Sequence, residues 1–407
     1  MKSLLVLLLA AVPASAQDFT YRGFGQVQSM LYPRTTPQDD DHVAVEALFR
    51  IEPAYRATDW LTFAGSIDAR IDTVVQVERT WRVSVRDRTL LRPPLSLRDA
   101  RATLRKGSLT ADLGKQFVRW GKADILNPTD RFAPRDFLEV TDDEFLAVIG
   151  ARAQYERGPH SVDVVWVPTF TPSRTPLIGR RWAPVQSQTF GTMAFRDLAP
   201  VFPDRSQYGA RWNVLGPGFE FSLSYFDGFN HLPQFTAFAL SSQPVVALQR
   251  TYAPLRMAGA DAAVPLRWFT VKGEVASLVT TSRTADDVVV YVVQVERQSG
   301  ELSLVAGYAG EIVTKHRSEF EFAPDRGLTR AFLGRAGYTI DPSSDVSFEA
   351  AVRQNLDGVW IKGQYSEAIG AHWRATFAGT GIGGRDRDFM GQYRRNSHVL
   401  ATLRYSF

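Results

Sequence analysis

A chain of 407 residues without a single cysteine has no disulfide framework and no thiolate metal centre. Its 47 basic and 43 acidic residues leave a net charge of +4, and no basic run is dense enough to make a nucleic-acid footprint, which excludes nucleic acid as an expected partner. Hydrophobic residues make up 44% of the chain, yet after residue 16 no stretch approaches the roughly 20 apolar residues that a membrane helix needs.

Residues 1–16 read as a cleavable export signal. Lys2 gives a basic start, Leu4 to Val12 an apolar run too short to span a bilayer, and Ala14-Ser15-Ala16 a small-residue cleavage pattern. No cysteine follows to carry a lipid anchor. One domain is expected over residues 17–407.

From there the hydrophobic pattern has period 2 almost to the end. After a first strand near 19–31, Val43, Val45, Ala47, Phe49 and Ile51 share one face, and Glu46, Arg50 and Glu52 the other. Leu61, Phe63, Gly65, Ile67, Ala69 and Ile71 then oppose Thr62, Ser66, Asp68, Arg70 and Asp72. A helix would scatter these sets around its circumference, whereas a strand separates them. Further pairs follow at 97–105/109–118, 147–157/160–167, 207–215/219–226, 252–264/269–278, 288–297/302–310, 328–339/346–353 and 359–366/372–380. The tight links within them are built of Gly, Pro, Asp and Ser. With a last strand at 398–407 the total is about 18, within a range of 16–20.

Long connections are expected near 33–41, 73–96, 119–146, 168–206, 228–251, 279–287, 311–327 and 381–397. Short turns at one end and long loops at the other predict an all-β, antiparallel up-and-down transmembrane barrel in a Gram-negative outer membrane, with both termini and the short turns periplasmic. Tyr55, Tyr155, Phe219, Phe269, Tyr338, Phe348, Tyr365, Trp373 and Tyr405 fall beside the short turns and form an expected interfacial girdle. Val399, Ala401, Leu403, Tyr405 and Phe407 alternate along the last strand. This resembles the terminal signal by which outer-membrane barrels meet their assembly machinery, an expected partner together with membrane lipid and lipopolysaccharide.

The polar faces predict what the wall presents inward: Glu46, Arg50, Asp68, Arg70, Asp99, Arg101, Arg105, Asp112, Arg152, Arg211, Glu274, Glu349, Arg353, Lys362 and Arg374. Rings of one sign set ion preference in pores. This wall mixes signs, so cross-strand pairing that stiffens it is the favoured role for any one residue, with a basic excess that leans toward anions.

One segment stands out, Gly114-Lys115-Gln116-Phe117-Val118-Arg119-Trp120-Gly121-Lys122-Ala123-Asp124, continuing through Ile125-Leu126-Asn127-Pro128-Thr129-Asp130. It resembles a motif of poorly characterised proteobacterial outer-membrane porins, in which a strand ending in Trp-Gly precedes an Asn-Pro-x-Asp loop. Alginate-export channels are a related comparison. The resemblance implies a channel or transport barrel, in some relatives associated with lipid or hydrocarbon traffic, and names no substrate. On physical grounds Asn-Pro-Thr-Asp favours a turn. Arg119, Trp120, Lys122, Asp124, Asn127, Asp130, Arg131 and Arg135 would then sit on a structured loop that either braces the barrel or gates it.

Other features carry less. The six histidines show no metal-ligand spacing, and no cofactor or metal is expected. Ser397 and His398 adjoin, but neighbours in a strand point to opposite faces, which disfavours a barrel-embedded lipid hydrolase. Asp39-Asp40-Asp41 offers oxygen ligands to a divalent cation, although a solvated loop explains it better. Gly379-Thr380-Gly381-Ile382-Gly383-Gly384 reads as a flexible connection rather than a phosphate loop, since no helix pattern follows. Thr141-Asp142-Asp143-Glu144 fits a capping box that would open a short helix. The expected activity is passive passage of a small polar or amphipathic solute. The rival is a non-conducting barrel serving as a periplasmic transporter's outer-membrane partner or as an adhesin.

Overall fold

The computed structural model describes residues 18–37, 39–183, 194–239, 245–317 and 322–407; the expected export signal lies outside them. Eighteen strands form the wall. The first six are β1 (Phe19–Leu31), β2 (Val43–Thr58), β3 (Leu61–Asp72), β4 (Leu95–Lys106), β5 (Leu109–Gln116) and β6 (Val148–Arg157). Next come β7 (His160–Val167), β8 (Gln207–Gly216), β9 (Phe219–Phe229), β10 (Pro254–Pro265), β11 (Thr270–Thr280) and β12 (Asp287–Ser299). The last six are β13 (Leu302–Lys315), β14 (Ala331–Asp341), β15 (Ser344–Arg353), β16 (Gly358–Ile369), β17 (Trp373–Gly384) and β18 (His398–Ser406).

Each strand pairs antiparallel with the next, and β1 pairs with β18 from Phe24↔Ser406 to Leu31↔Val399, which closes the barrel. Closure removes the edge strands, so no row of backbone groups is left unpaired. At one end the strands meet in turns of two to four residues, where Gly107, Gly158, Gly218, Gly300 and Gly370 take positive φ. At the other end run the long loops. The loops expected from the sequence are joined by a ninth connection, residues 354–357, too short to stand out in the pattern.

The outer wall is apolar and exposed: Val27, Phe49, Ile67, Leu113, Val164, Leu223, Val293, Ile312, Phe332, Phe377 and Leu403 all point outward. Only lipid satisfies such a belt. Eight of the nine expected girdle aromatics are exposed beside the short turns; Tyr55 is half-buried. Polar residues alternate inward, and the buried apolar core lies inside the cylinder, where Trp120, Phe132, Phe226, Met257, Val290 and Trp360 belong to one cluster.

Two local expectations are corrected. No helix forms at 141–146: Glu144–Phe145 pairs as a short strand with Arg135–Asp136. The Glu144 carboxylate that a capping box would need is drawn instead to Arg70, 3.1 Å away. The glycine-rich stretch is also not a loose connection from 381 onward, because β17 continues to Gly384. Ile361 and Val359 of β16 lie where side chains at Gly381 and Gly383 would be, so neighbouring packing supports the strand.

Candidate functional site: the barrel lumen and its inward loop

The connection between β5 and β6 enters the cylinder instead of projecting from it. Along residues 120–129 its partners step around the wall. Trp120 Nε1 donates to Asp163 on β7 (2.9 Å), and Lys122 Nζ reaches Glu220 on β9 (2.6 Å) and Asp261 on β10 (3.2 Å). Glu274 on β11 takes Thr129 N–H (2.7 Å), and Gln294 on β12 takes Asp124 N–H (3.0 Å). All five wall residues belong to the inward-facing polar set. The loop therefore lies against the inner surface of β7–β12 and fills that side of the lumen.

The motif residues make this course a fixed one. Asp130 accepts the N–H groups of Trp120 (2.5 Å) and Gly121 (2.7 Å) and lies 3.4 Å from Arg119. Asn127 donates to Ala123 O and packs against Gly121, leaving no room there for a Cβ. Arg131 pairs with Asp325 of the β13–β14 loop (3.1 Å). His231 sets its ring nitrogens 2.6 Å from Thr171 O and 3.0 Å from Arg131 O, and burial pulls its pKa down to about 4 against both carbonyls, so the neutral ring donates to one of them. Phe145 lies between the guanidinium groups of Arg119 (4.1 Å) and Arg135 (4.4 Å), and Arg135 also pairs with Asp143 (2.9 Å).

A second, charged assembly ties three loops to β2 and β3. Glu46 meets Arg70 (2.9 Å) and Arg92 (3.0 Å); Arg92 and Arg174 both meet Asp136 (3.0 Å each); Arg174 and Lys115 meet Asp87 (3.1 and 2.5 Å). Burial raises the cost of ionising Asp136, but Arg92 and Arg174 outweigh it and hold that carboxyl far below the usual range. Glu144 is likewise lowered by Arg70 and Arg92 against its burial. Glu139 differs: burial, with Asp142, Glu46 and Asp136 nearby, pushes it up to about 8 against the pull of Arg92.

Open space is left on the opposite side, along β1–β4. A cavity of about 460 Å³ is lined by Arg22, Glu52, Ser66, Arg98, Asp99, Arg101 and Phe117. Toward the long loops lies a second, smaller space of about 30 Å³, lined by Asp68, Arg70, Arg92, Arg98, Glu144 and Phe145, room for about two waters. Arg98 borders both spaces and lies over the Phe117 ring at 4.6 Å.

All fifteen residues read as inward-facing alternate with the exposed apolar ones, on the inner face. Most are paired there: Arg50 with Asp68 (2.6 Å), Arg152 with Asp163 (2.6 Å), Arg211 with Asp261 (2.9 Å), Glu349 with Arg335 (2.9 Å), Arg353 with Asp388 (2.9 Å) and Arg374 with Asp345 (3.2 Å). Asp99 takes a hydrogen bond from Ser66 and lies 3.7 Å from Arg101, and Asp112 takes one from Thr103 (2.5 Å). Lys362 stands across from Glu349 in register, and Arg105 is exposed near a short turn. Ser397 and His398 do not meet as a catalytic pair: Ser397 Oγ bonds backbone groups of Ile382 and Arg394, and His398 bonds Asn396 O.

Sequence reading missed Asp163 and Asp261, which the same alternation would have found. It also missed Arg98, which lies where a bulge shifts the β3–β4 register between Ser66 and Ile67; a period-2 reading fails at such a point. Arg92, Asp136 and Arg174 lie in loops, where no period marks them.

No family model matches the sequence, and no curated protein matches it either. The fold is that of the outer-membrane porins. Among solved structures it is similar to OccAB4 of Acinetobacter baumannii, at 8% identity and a TM-score of 0.57 over 96% of this chain and 98% of that one. It is likewise similar to OpdQ of Pseudomonas aeruginosa, at 9% identity and a TM-score of 0.54 with the same coverage.

Proposed function

We propose that the chain is an outer-membrane channel through which small anionic solutes pass along the β17–β4 side of the lumen. The observation that carries this reading is a track of guanidinium groups on neighbouring strands. Arg374 faces Arg404 in register, Arg404 and Arg50 both lie over Phe24 (4.2 and 5.3 Å), and Arg98 follows on Phe117. Asp68 and Asp345 engage the N–H edges of Arg50 and Arg374, whereas Arg98 and Arg404, each held on a ring face, leave that edge to a passing oxyanion. Arg404 already uses that edge on a neutral acceptor, Gln26 Oε1 (2.9 Å). Carboxylates or other oxyanions would exchange between such positions, each strong enough to attract and weak enough to release. Lipid and lipopolysaccharide would cover the outer wall, and assembly machinery would engage the β18 strand through Phe407.

A second reading has its own support. The small space of about 30 Å³ between β3 and the loops and the apolar core inside the wall suit a closed barrel that serves as a transporter's partner or an adhesin. Planar-bilayer recording separates the two. Stable steps whose reversal potential in a KCl gradient indicates anion preference fit the channel. A folded barrel that stays silent, or that prefers cations, sinks it.

A further inference from the structure

We propose that Glu274 is the positioning residue that sets the bore, by pinning the inward loop against the β11 wall; this rests on the channel reading above. The residue is 3% exposed, and each carboxylate oxygen receives two donors from the loop. Oε2 takes the backbone N–H groups of Lys122 (3.0 Å) and Ala123 (3.2 Å). Oε1 takes the N–H (2.7 Å) and the hydroxyl (2.8 Å) of Thr129.

Gln294 takes one backbone N–H, that of Asp124 (3.0 Å), on a single limb, and further contacts use side chains that can swing, Lys122 on Glu220 and Asp261 and Lys272 on Asp124 (3.3 Å). Glu274 instead bonds backbone at both limbs of the loop, on either side of the Asn127-Pro128 turn. It therefore fixes the distance between the limbs as well as their distance from the wall. Four donors converge on one acceptor-only group, and a carboxylate alone supplies enough lone pairs. A glutamine of the same shape would turn an NH2 toward one pair of donors and release that limb. The freed limb could then leave β11 and change the space across from Arg98.

The test compares wild type with Glu274→Gln and Thr129→Val in planar bilayers. Each protein is first shown to be a closed barrel by its shifted mobility on unheated SDS gels. Glu274→Gln is expected to change single-channel conductance by a factor on the order of two and to add open-channel noise; Thr129→Val, which keeps the backbone donor, should do less. Keeping the carboxylate separates positioning from general destabilisation: Glu274→Asp, acceptor-only on a shorter arm, should fall between wild type and Glu274→Gln in conductance and noise.

If Glu274→Gln conducts like wild type, or Glu274→Asp departs from wild type further than Glu274→Gln does, the proposal is overturned while the channel reading stands. If wild type and variant are both folded and both silent, the proposal and the channel reading fall together.

Discussion

The ring of Phe407 stacks on that of Phe49 with centroids 5.9 Å apart and planes at 21°, and so clasps the seam of the barrel from β18 across β1 to β2. The clasp passes over Gly23. A Cβ there would lie 2.5 Å from Arg50 O and 2.7 Å from the Phe407 ring. Backbone bonds secure the same point, Gly23 N to Phe407 O and Phe407 N to Gly23 O, both 3.0 Å. Gly23→Val is therefore expected to block closure, and Phe407→Ala to weaken it by about 3–5 kcal/mol at most, since the ring is only partly buried. Unheated SDS gels check this: Gly23→Val should yield little of the compact form. A normal yield would show that the seam tolerates a side chain there.

Charge reversal tests the guanidinium track. Arg98→Glu combined with Arg404→Glu places one carboxylate at the border of the two spaces, where Arg98 stands, and another beside Arg374 and Arg50 at the Phe24 ring. The expected result is a barrel that closes normally but has lost, or inverted, its anion preference, measured as a change in sign of the reversal potential in a salt gradient. Unchanged selectivity would mean that ions pass elsewhere.

Asp136 joins two buried guanidiniums, so Asp136→Asn should leave Arg92 and Arg174 short of one anion. Breaking a buried pair by removing one partner costs about 3–5 kcal/mol. Here the loss should appear in the loop assembly and spare the wall, whose strands are held by their own ladder. Limited proteolysis should nick residues 73–94 of the variant while its unheated gel mobility stays that of a closed barrel. Resistance equal to wild type would show that Glu46 and Asp87 suffice.

The wall was legible because a barrel strand sees two solvents, lipid outside and a polar lumen inside, and period 2 records the difference at Val27/Gln28 as at Phe377/Thr376. The lumen residues followed from the same alternation. Their partners did not, since pairing depends on neighbouring strands and on loops. Arg70 meets Glu46 within the wall but also Glu144, which sequence alone assigns to a helix cap. The Trp-Gly and Asn-Pro-Thr-Asp motif was visible, but its meaning required Glu274, some 150 residues further on, whose carboxylate takes its N–H groups.

Glu139 gives the loops a pH dependence whose sign can be worked out. Its folded pKa is about 8 against an ordinary 4.5, because burial, Asp142, Glu46 and Asp136 together outweigh Arg92. When the loop opens, the carboxyl returns to water and to the ordinary value. Between the two the folded state holds the extra proton, so the loop assembly is most stable below about pH 4.5 as far as this group is concerned, loses stability as pH rises toward 8, and levels off above it. Asp136 and Glu144, held low by their arginines, work in the other direction and only at more acidic pH, below the interval from 6 to 8. Burial lowers His231 to about 4, below that interval. Hydrogen exchange of residues 136–147 should therefore show less protection at pH 8 than at pH 6, after correction for intrinsic rates, and Glu139→Gln should abolish the difference. Equal pH dependence in the variant would assign the effect to another group.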